Sequence, residues 1–365
     1  EEETLGRWRQ EFPENELLYR QVLTSEFIIS KSKQWEQVDL VMAYLKIRQK
    51  CEHRLRRVRL FQVTAVAVSV LLLLVSGLFY FVLQDKDDRY PVGLMTENIL
   101  PGNAKAELIL ADGERILLGG PDMDSILVQP GAEIHTAKER LSYIGRQQTG
   151  KIQYNILQIP RGGEYSVTLQ DGTVVNLNSA SELRYPVQFA GTERKVFLTG
   201  EAYFQVTKDT AHPFRVESEA QVVEVLGTQF NVYAYGHEEQ TYTTLVEGKV
   251  AVTASASGQH VQLMPGQQAS LGRQGGEIVV GEVNIQQVVD WKNGMFVFDD
   301  LSLEAILRKV ARWYDVEVFY RNQQAKAIVF KGNLPRYGEL PELLKVLENS
   351  SEVHFSLKGN ALIVE

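Results

Sequence analysis

One cysteine, Cys51, stands in the whole 365-residue chain. It cannot close an internal disulfide and it cannot build a Cys-x-x-Cys knuckle, so disulfide scaffolds and zinc ribbons are excluded. The six histidines (His53, His135, His212, His237, His260 and His354) are scattered, and none forms His-Glu-x-x-His. There is no Gly-x-Ser-x-Gly elbow, no glycine-rich phosphate loop before a helix and no dinucleotide fingerprint. An enzyme of conventional turnover is therefore not expected, and neither is a cofactor or a metal. With 28 glycines, 11 prolines, 44% hydrophobic and 23% charged residues, collagen-like and wholly disordered chains are excluded as well. The length allows two or three domains, each large enough to bury a core.

Charge is the next thing missing, over one stretch. From Leu60 to Leu83 the chain reads LFQVTAVAVSVLLLLVSGLFYFVL, 24 residues without a formal charge. As a helix this run would extend roughly 36 Å, enough for a bilayer core of about 30 Å. A buried core helix is seldom apolar on every face for so long, and a signal peptide would begin earlier and be shorter. We therefore expect a single membrane-spanning helix. Seven Lys and Arg between Lys46 and Arg59 face only Glu52, whereas Asp85, Asp87 and Asp88 follow the run. The positive-inside rule puts the N-terminus in the cytoplasm. Residues 1–59 then carry +2 and the remainder –10 of the total –8. The adjoining apolar run and anionic lipid head groups account for the basic stretch, so no direct nucleic-acid contact is expected.

Residues 1–59 read as helices. Pro13 and Asn15 can open one, with Leu17, Leu18, Val22 and Leu23 at helical spacing, and Trp35, Val38, Val41, Met42 and Leu45 suggest another. So short a segment hardly buries a core of its own, which leaves either a membrane stem or an amphipathic surface completed by a partner.

From about residue 104 to 283 the hydrophobic period changes to 2. AELILADGERILL and YSVTLQDGTVVNL alternate around Asp112-Gly113 and Asp171-Gly172, which predicts hairpins. Further strands read RKVFLTGEAYFQV, HPFRVES, AQVVEVLGTQFNVYAY and TYTTLVEGKVAVTAS, an all-β pattern. Tyr203, Phe204, Phe214, Phe230, Tyr233 and Tyr235 could suggest a sugar platform, but alternation within strands favours core positions. The last 70 residues contain a repeat: SLEAILRKVARWYDVEVFY from Ser302 aligns on ELPELLKVLENSSEVHFSL from Glu339, at an offset of 37. Each copy predicts a helix followed by a strand, with strands also before each helix, giving a small α+β domain with a duplicated βαβ unit.

Gly227-Thr228 in VEVLGTQFNVYAY has two readings. A hydroxyl just after glycine can attack the preceding carbonyl in a strained turn, giving an ester that water cleaves. The alternative is an ordinary bulge or tight bend in a strand.

The order of the motifs IPRGGEYSVTLQDGTVVNLNSASELRYP, RKVFLTGEAYFQV, HPFRVES, VEVLGTQFNVYAY, TLVEGKVAV and LMPGQQASL resembles the FecR family of membrane-bound anti-sigma factors. FVFDDLSLEAILRKVARWYDVEVFY resembles the short N-terminal domain of secretins and TonB-dependent receptors. The resemblance implies a mostly β protein in four parts: a cytoplasmic helical anti-sigma segment at 1–59, a transmembrane helix at 60–83, a periplasmic all-β domain at 84–290 and the α+β domain at 291–365. It implies an inner-membrane protein that relays a signal from an outer-membrane TonB-dependent transporter to an extracytoplasmic-function sigma factor, with membrane proteases and the lipid bilayer as further partners. Candidate sigma-factor contacts are Leu18, Val22, Trp35, Val38 and Tyr44. Candidate contacts to the transporter's signalling domain are Phe296, Phe298, Trp313, Tyr314 and Val318. Some relatives cleave themselves at a Gly-Thr bond, and the matching position is Gly227-Thr228. The competing reading is a membrane-anchored periplasmic binding or scaffold protein that regulates no sigma factor.

Overall fold

The computed structural model describes residues 2–23, 99–120, 125–145, 152–273 and 275–365. The chain divides into two compact units, residues 1–90 and 91–365. In the first, helices α1 (Glu2–Glu11) and α2 (Pro13–Val22) meet at Phe12, whose extended backbone lets Pro13 open α2. Glu16 ties them together, accepting Arg9 at 2.8 Å and Arg20 at 3.2 Å. None of the α2 residues is buried. Two ten-residue helices lack the length to sequester their apolar side chains.

Residues 106 to 282 form two sheets around one apolar core. The first sheet runs in space Arg115–Leu118, Ala106–Ile109, Tyr154–Ile159, Ser181–Pro186, the first half of Arg194–Gln205, Phe214–Glu217, Gln221–Val225, Val250–Ala254, His260–Leu263. The second runs Ser125–Gln129, Ala132–Thr136, Arg140–Gly145, Gly163–Thr168, Val174–Leu177, the second half of Arg194–Gln205, Gln229–Ala234, Gln240–Glu247, Gln267–Gly272, Val279–Glu282. Most neighbours are antiparallel. The two Asp-Gly turns close as the sequence predicts, because Asp112 and Asp171 each accept the amide two residues on, at 3.0 Å. Strict burial alternation, as in Gly163–Thr168, sends every second side chain inward. Phe204, Phe214 and Phe230 are wholly buried, with Phe204 stacked on Phe230 at 5.0 Å. These aromatics are core, and burying each stabilises the fold by roughly 2 kcal/mol.

The chain changes sheet repeatedly. Arg194–Gln205 does so within one strand, pairing with Ser181–Pro186 up to Thr199 and with Gln229–Ala234 from Gly200 onward. Helix α3 (Ile285–Val289) and a 3-10 turn (Asp290–Asn293) then lead into the last domain.

That domain is built from strand Met295–Ser302, helix α4 (Leu303–Tyr314), strand Glu317–Tyr320, strand Val329–Pro335, helix α5 (Leu340–Asn349), and strands Phe355–Lys358 and Ala361–Val364. Ser302 caps α4 by accepting the Ala305 amide. The repeat is visible in burial: Leu303, Ile306, Leu307, Val310 and Val316 are matched 37 residues on by Leu340, Leu343, Leu344, Leu347 and Val353, and all ten are core. The copies do not close as two separate βαβ units. The strands preceding the helices pair with each other, antiparallel, and those following them join Ala361–Val364 in another sheet. Neither half could cover its helix alone, so the copies interleave over one core. Among the described residues no helix is long and apolar enough to cross a membrane, and Leu60–Leu83 lies outside them.

Candidate functional site

Where the α+β domain meets the β domain, charged side chains are buried beside a small apolar cluster of Tyr203, Val289 and Trp291. Arg312, on α4, is 5% exposed and donates to Glu238 at 2.9 Å and to the Tyr233 hydroxyl at 2.9 Å. Tyr233 in turn donates to Glu238 at 2.8 Å, and the Arg312 guanidinium lies 4.2 Å from the Tyr235 ring centre. Burial works against the charge of both partners. The Tyr233 and Arg312 hydrogen bonds outweigh it and hold the Glu238 carboxyl below its ordinary value of 4.5, while Tyr235, Tyr233 and Glu238 keep Arg312 charged.

A second arginine anchors the other side. Arg336 is 1% exposed, donates to the Trp291 carbonyl at 3.0 Å and to Asn178 at 2.5 Å, and stacks on the Trp313 indole at 3.7 Å. Asn178 donates to Glu201 at 2.7 Å, and Asn231 donates to the other Glu201 oxygen at 3.1 Å. Trp291 reaches Asn231 at 3.4 Å. Burial lowers the Arg336 pKa, with Glu164 opposing it from 3.6 Å. A chain of side chains thus runs from the sheet through Glu201 to Trp313. At the rim, Arg161 donates to Asp315 at 2.7 Å and to the carbonyls of Ala311 and Val316 at 2.8 and 2.7 Å, closing the C-terminal end of α4. Asp315 holds the left-handed conformation that ends this helix.

Beside Glu238 the junction opens into a cavity of about 380 Å³, lined among others by Glu201, Tyr242, Gln287, Arg308 and Lys309. Burial lowers the Lys309 pKa; Glu201 opposes the shift, and Arg312 and Arg336 add to it. Among the described residues no group of three or more His, Cys, Asp or Glu side chains is placed to hold a metal ion. What this arrangement does chemically is bind the two domains in one register, since each buried charge requires its partner across the junction.

Phe296, Phe298, Trp313 and Tyr314, expected as contacts to a signalling domain, are buried and pack inside the α+β domain. Their large apolar side chains are used by the core, so the outward surface there consists of other residues, including exposed Phe319. Val318 is half-buried. Leu18 and Val22 stand exposed on α2, at 53% and 44%, and Leu17 and Leu23 are exposed with them. Trp35, Val38 and Tyr44 lie outside the described residues. Gly227-Thr228 sits where the chain leaves Gln221–Val225 in one sheet and enters Gln229–Ala234 in the other, with a register shift just after it. Gly227 has φ 150°, and a Cβ there would stand 2.7 Å from the Lys208 Cα. The Thr228 hydroxyl donates to the Lys249 carbonyl at 2.9 Å. The pair forms a tight bend between sheets.

Sequence gives no sign of Glu201, Trp291, Arg312 and Arg336 as site residues, and Glu238 reads only as part of a polar hairpin tip, GHEEQ at 236–240. No signal of burial existed for Glu238 there or for Arg336 in LPRYGE, but one existed for Glu201, a single charge in LTGEAYF, and for Arg312 in KVARWY. Such a charge points to burial with a partner but not to which partner.

Residues 155–251 match the model for "FecR protein", and residues 295–364 match the model for "FecR, C-terminal". The chain thus carries both modules of the FecR family, in order. The C-terminal match is to this family's own second module, the segment whose motifs resemble the secretin and TonB-receptor domain. Two crystal structures described as an anti-sigma factor from Parabacteroides distasonis ATCC 8503, at 1.65 and 2.50 Å, are similar to this chain. Each has a TM-score of 0.53, at 28% and 27% identity, over 57% and 58% of this chain and 98% of theirs. No curated protein matches.

Proposed function

We propose that this protein is a FecR-family anti-sigma factor that relays a signal across the inner membrane. What carries the reading is the joint presence of both FecR modules, matched in order, and the likeness to structures described as an anti-sigma factor. The N-terminal helices hold an extracytoplasmic-function sigma factor through the exposed face around Leu18 and Val22. Residues 60–83 span the membrane, and the β and α+β domains lie in the periplasm. The α+β domain receives the signalling domain of a TonB-dependent outer-membrane transporter, and membrane proteases free the cytoplasmic segment. A sensor of this kind changes its interior partner's activity only through a difference in affinity between two states, or through cleavage.

The test is co-purification. Full-length protein expressed with the sigma factors of its host should retain one of them and silence that factor's promoter. Recovery of no sigma factor, with the promoter unaffected by deletion of this protein, would overturn the reading.

A further inference from the structure

In the second unit the described residues begin with 99–105, and this stretch is held from both sides. Ile99 packs against the core of the α+β domain. Gly102 is buried against Trp313 so closely that a Cβ would stand 2.6 Å from the indole Cε3. Asn103–Ala104 then pairs, parallel, with Gly163 and Glu164 of the β domain. The Asn103 amide donates to the Gly162 carbonyl at 3.1 Å, and the Lys105 amide donates to Glu164 at 3.2 Å. On the opposite side Gly119 leaves room for the strap, since a Cβ there would stand 2.0 Å from the Ala104 carbonyl oxygen. The slot is therefore shaped for backbone alone, and Trp313 forms one of its walls.

The same corner of the β domain is fastened to α4. The Gly162 amide donates to the Arg312 carbonyl at 2.8 Å, next to the Arg161 contacts to Ala311, Asp315 and Val316. Displacing the α+β domain takes away Trp313 and the Gly162–Arg312 bond together. That leaves residues 99–105 held to the β domain by a two-residue parallel pairing and the close approach at Gly119, with nothing on the Trp313 side. So short a pairing does not persist without packing on its other side.

We infer that residues 99–105 are a strap gated by the α+β domain: seated, they resist proteases, and when a partner displaces that domain they become an extended, cleavable segment. Proteases bind substrate as an extended strand, so paired and packed backbone is not a substrate while it stays seated. The inference rests on the signalling role proposed above and specifies how an event at the α+β domain is turned into access near the stem.

Limited proteolysis of the full-length chain, with cut sites mapped by mass spectrometry and no sigma factor present, tests it. Arg161→Ala loosens the corner from α4 while leaving both cores untouched. Gly102→Ala expels the strap from Trp313 directly. Each should raise cleavage within residues 99–105 about tenfold, equivalent to about 1.4 kcal/mol of opening, while cleavage elsewhere stays unchanged. In hydrogen exchange, the amides of Asn103, Lys105 and Gly162 should share one opening rate, and both variants should raise all three together. Equal cleavage of the strap in wild type and variants, or independent exchange of these three amides, overturns the proposal. Because neither readout contains a sigma factor, the gating and the anti-sigma reading fail separately.

Discussion

Replacing Glu238 by glutamine removes the charge opposite a buried arginine. At 2.9 Å and an effective dielectric constant near 20, the Glu238–Arg312 attraction is about 6 kcal/mol. Taking two ions out of water costs several kcal/mol each, so the intact pair is close to neutral against a well-packed apolar substitute. Losing one member is different. Arg312 stays 6% exposed by side chain and keeps its desolvation cost without its counter-charge. Arg308, 3.5 Å from Glu238 and 48% exposed, has the same sign as Arg312 and cannot replace the lost counter-charge, while its own exposure limits what it loses. Glutamine can still accept from Tyr233, which places Glu238→Gln at the lower end of the 3–5 kcal/mol range, about 3 kcal/mol. In a unit of this size that lowers Tm by roughly 6–12 °C. The assay is urea unfolding of wild type, Glu238→Gln, Arg312→Met and the double variant at one salt concentration. The double variant should cost about 2 kcal/mol less than the two single changes added together. The pH dependence has a definite sign: the Glu238 carboxyl is held below 4.5, so its contribution is complete above about pH 4.5 and is lost as pH falls through the folded value. Glu238→Gln should flatten that acid limb. Single costs under 1 kcal/mol, or strict additivity, would refute the account of the junction as a charge-matched lock.

Three further outcomes are expected. Burial pushes the Tyr143, Tyr165 and Tyr320 hydroxyls up to about 12 from 10.0, so the folded state holds their protons longer than the unfolded chain does. Stability should therefore be unaffected by these groups below pH 10 and should fall as pH rises toward about 12, followed by tyrosinate absorbance and circular dichroism together. Leu18→Asp with Val22→Asp, on the exposed face of α2, should leave the melting of residues 91–365 unchanged and weaken sigma-factor binding about 30-fold, roughly 2 kcal/mol, by titration calorimetry. Unaltered affinity would place that contact elsewhere. Intact mass of the purified chain should show Gly227-Thr228 uncleaved, because the Thr228 hydroxyl donates to a carbonyl; two fragments that disappear in Thr228→Ala would contradict this.

The local elements were legible in the sequence because their causes are local. Alternation at period 2 from residue 106 onward, the Asx turns at Asp112 and Asp171, and the 37-residue repeat each depend on neighbours a few positions apart, and each appears in the structure. The exposed apolar side chains of α2 follow from length alone, since so short a helix pair cannot bury them. The interleaving of the two repeat copies was not legible. Strand pairing is a choice among partners, and the same pattern suits two separate units or one shared core.

The junction was further out of reach. Arg312 meets Glu238 across 74 positions and Arg336 meets Asn178 across 158, and nothing within either segment names its counterpart. Aromatic residues in the last domain illustrate the same limit: Trp313 and Tyr314 are expected from sequence as docking contacts, and packing puts them in the core. By itself, then, the sequence determined where the strands of the β domain and the two helices of the repeat lie, because hydrophobic period and turn chemistry act over a few residues. The tertiary structure alone decided which charges are buried together and that Gly102 lies under Trp313, because those depend on which distant surfaces come within about 3 Å of each other.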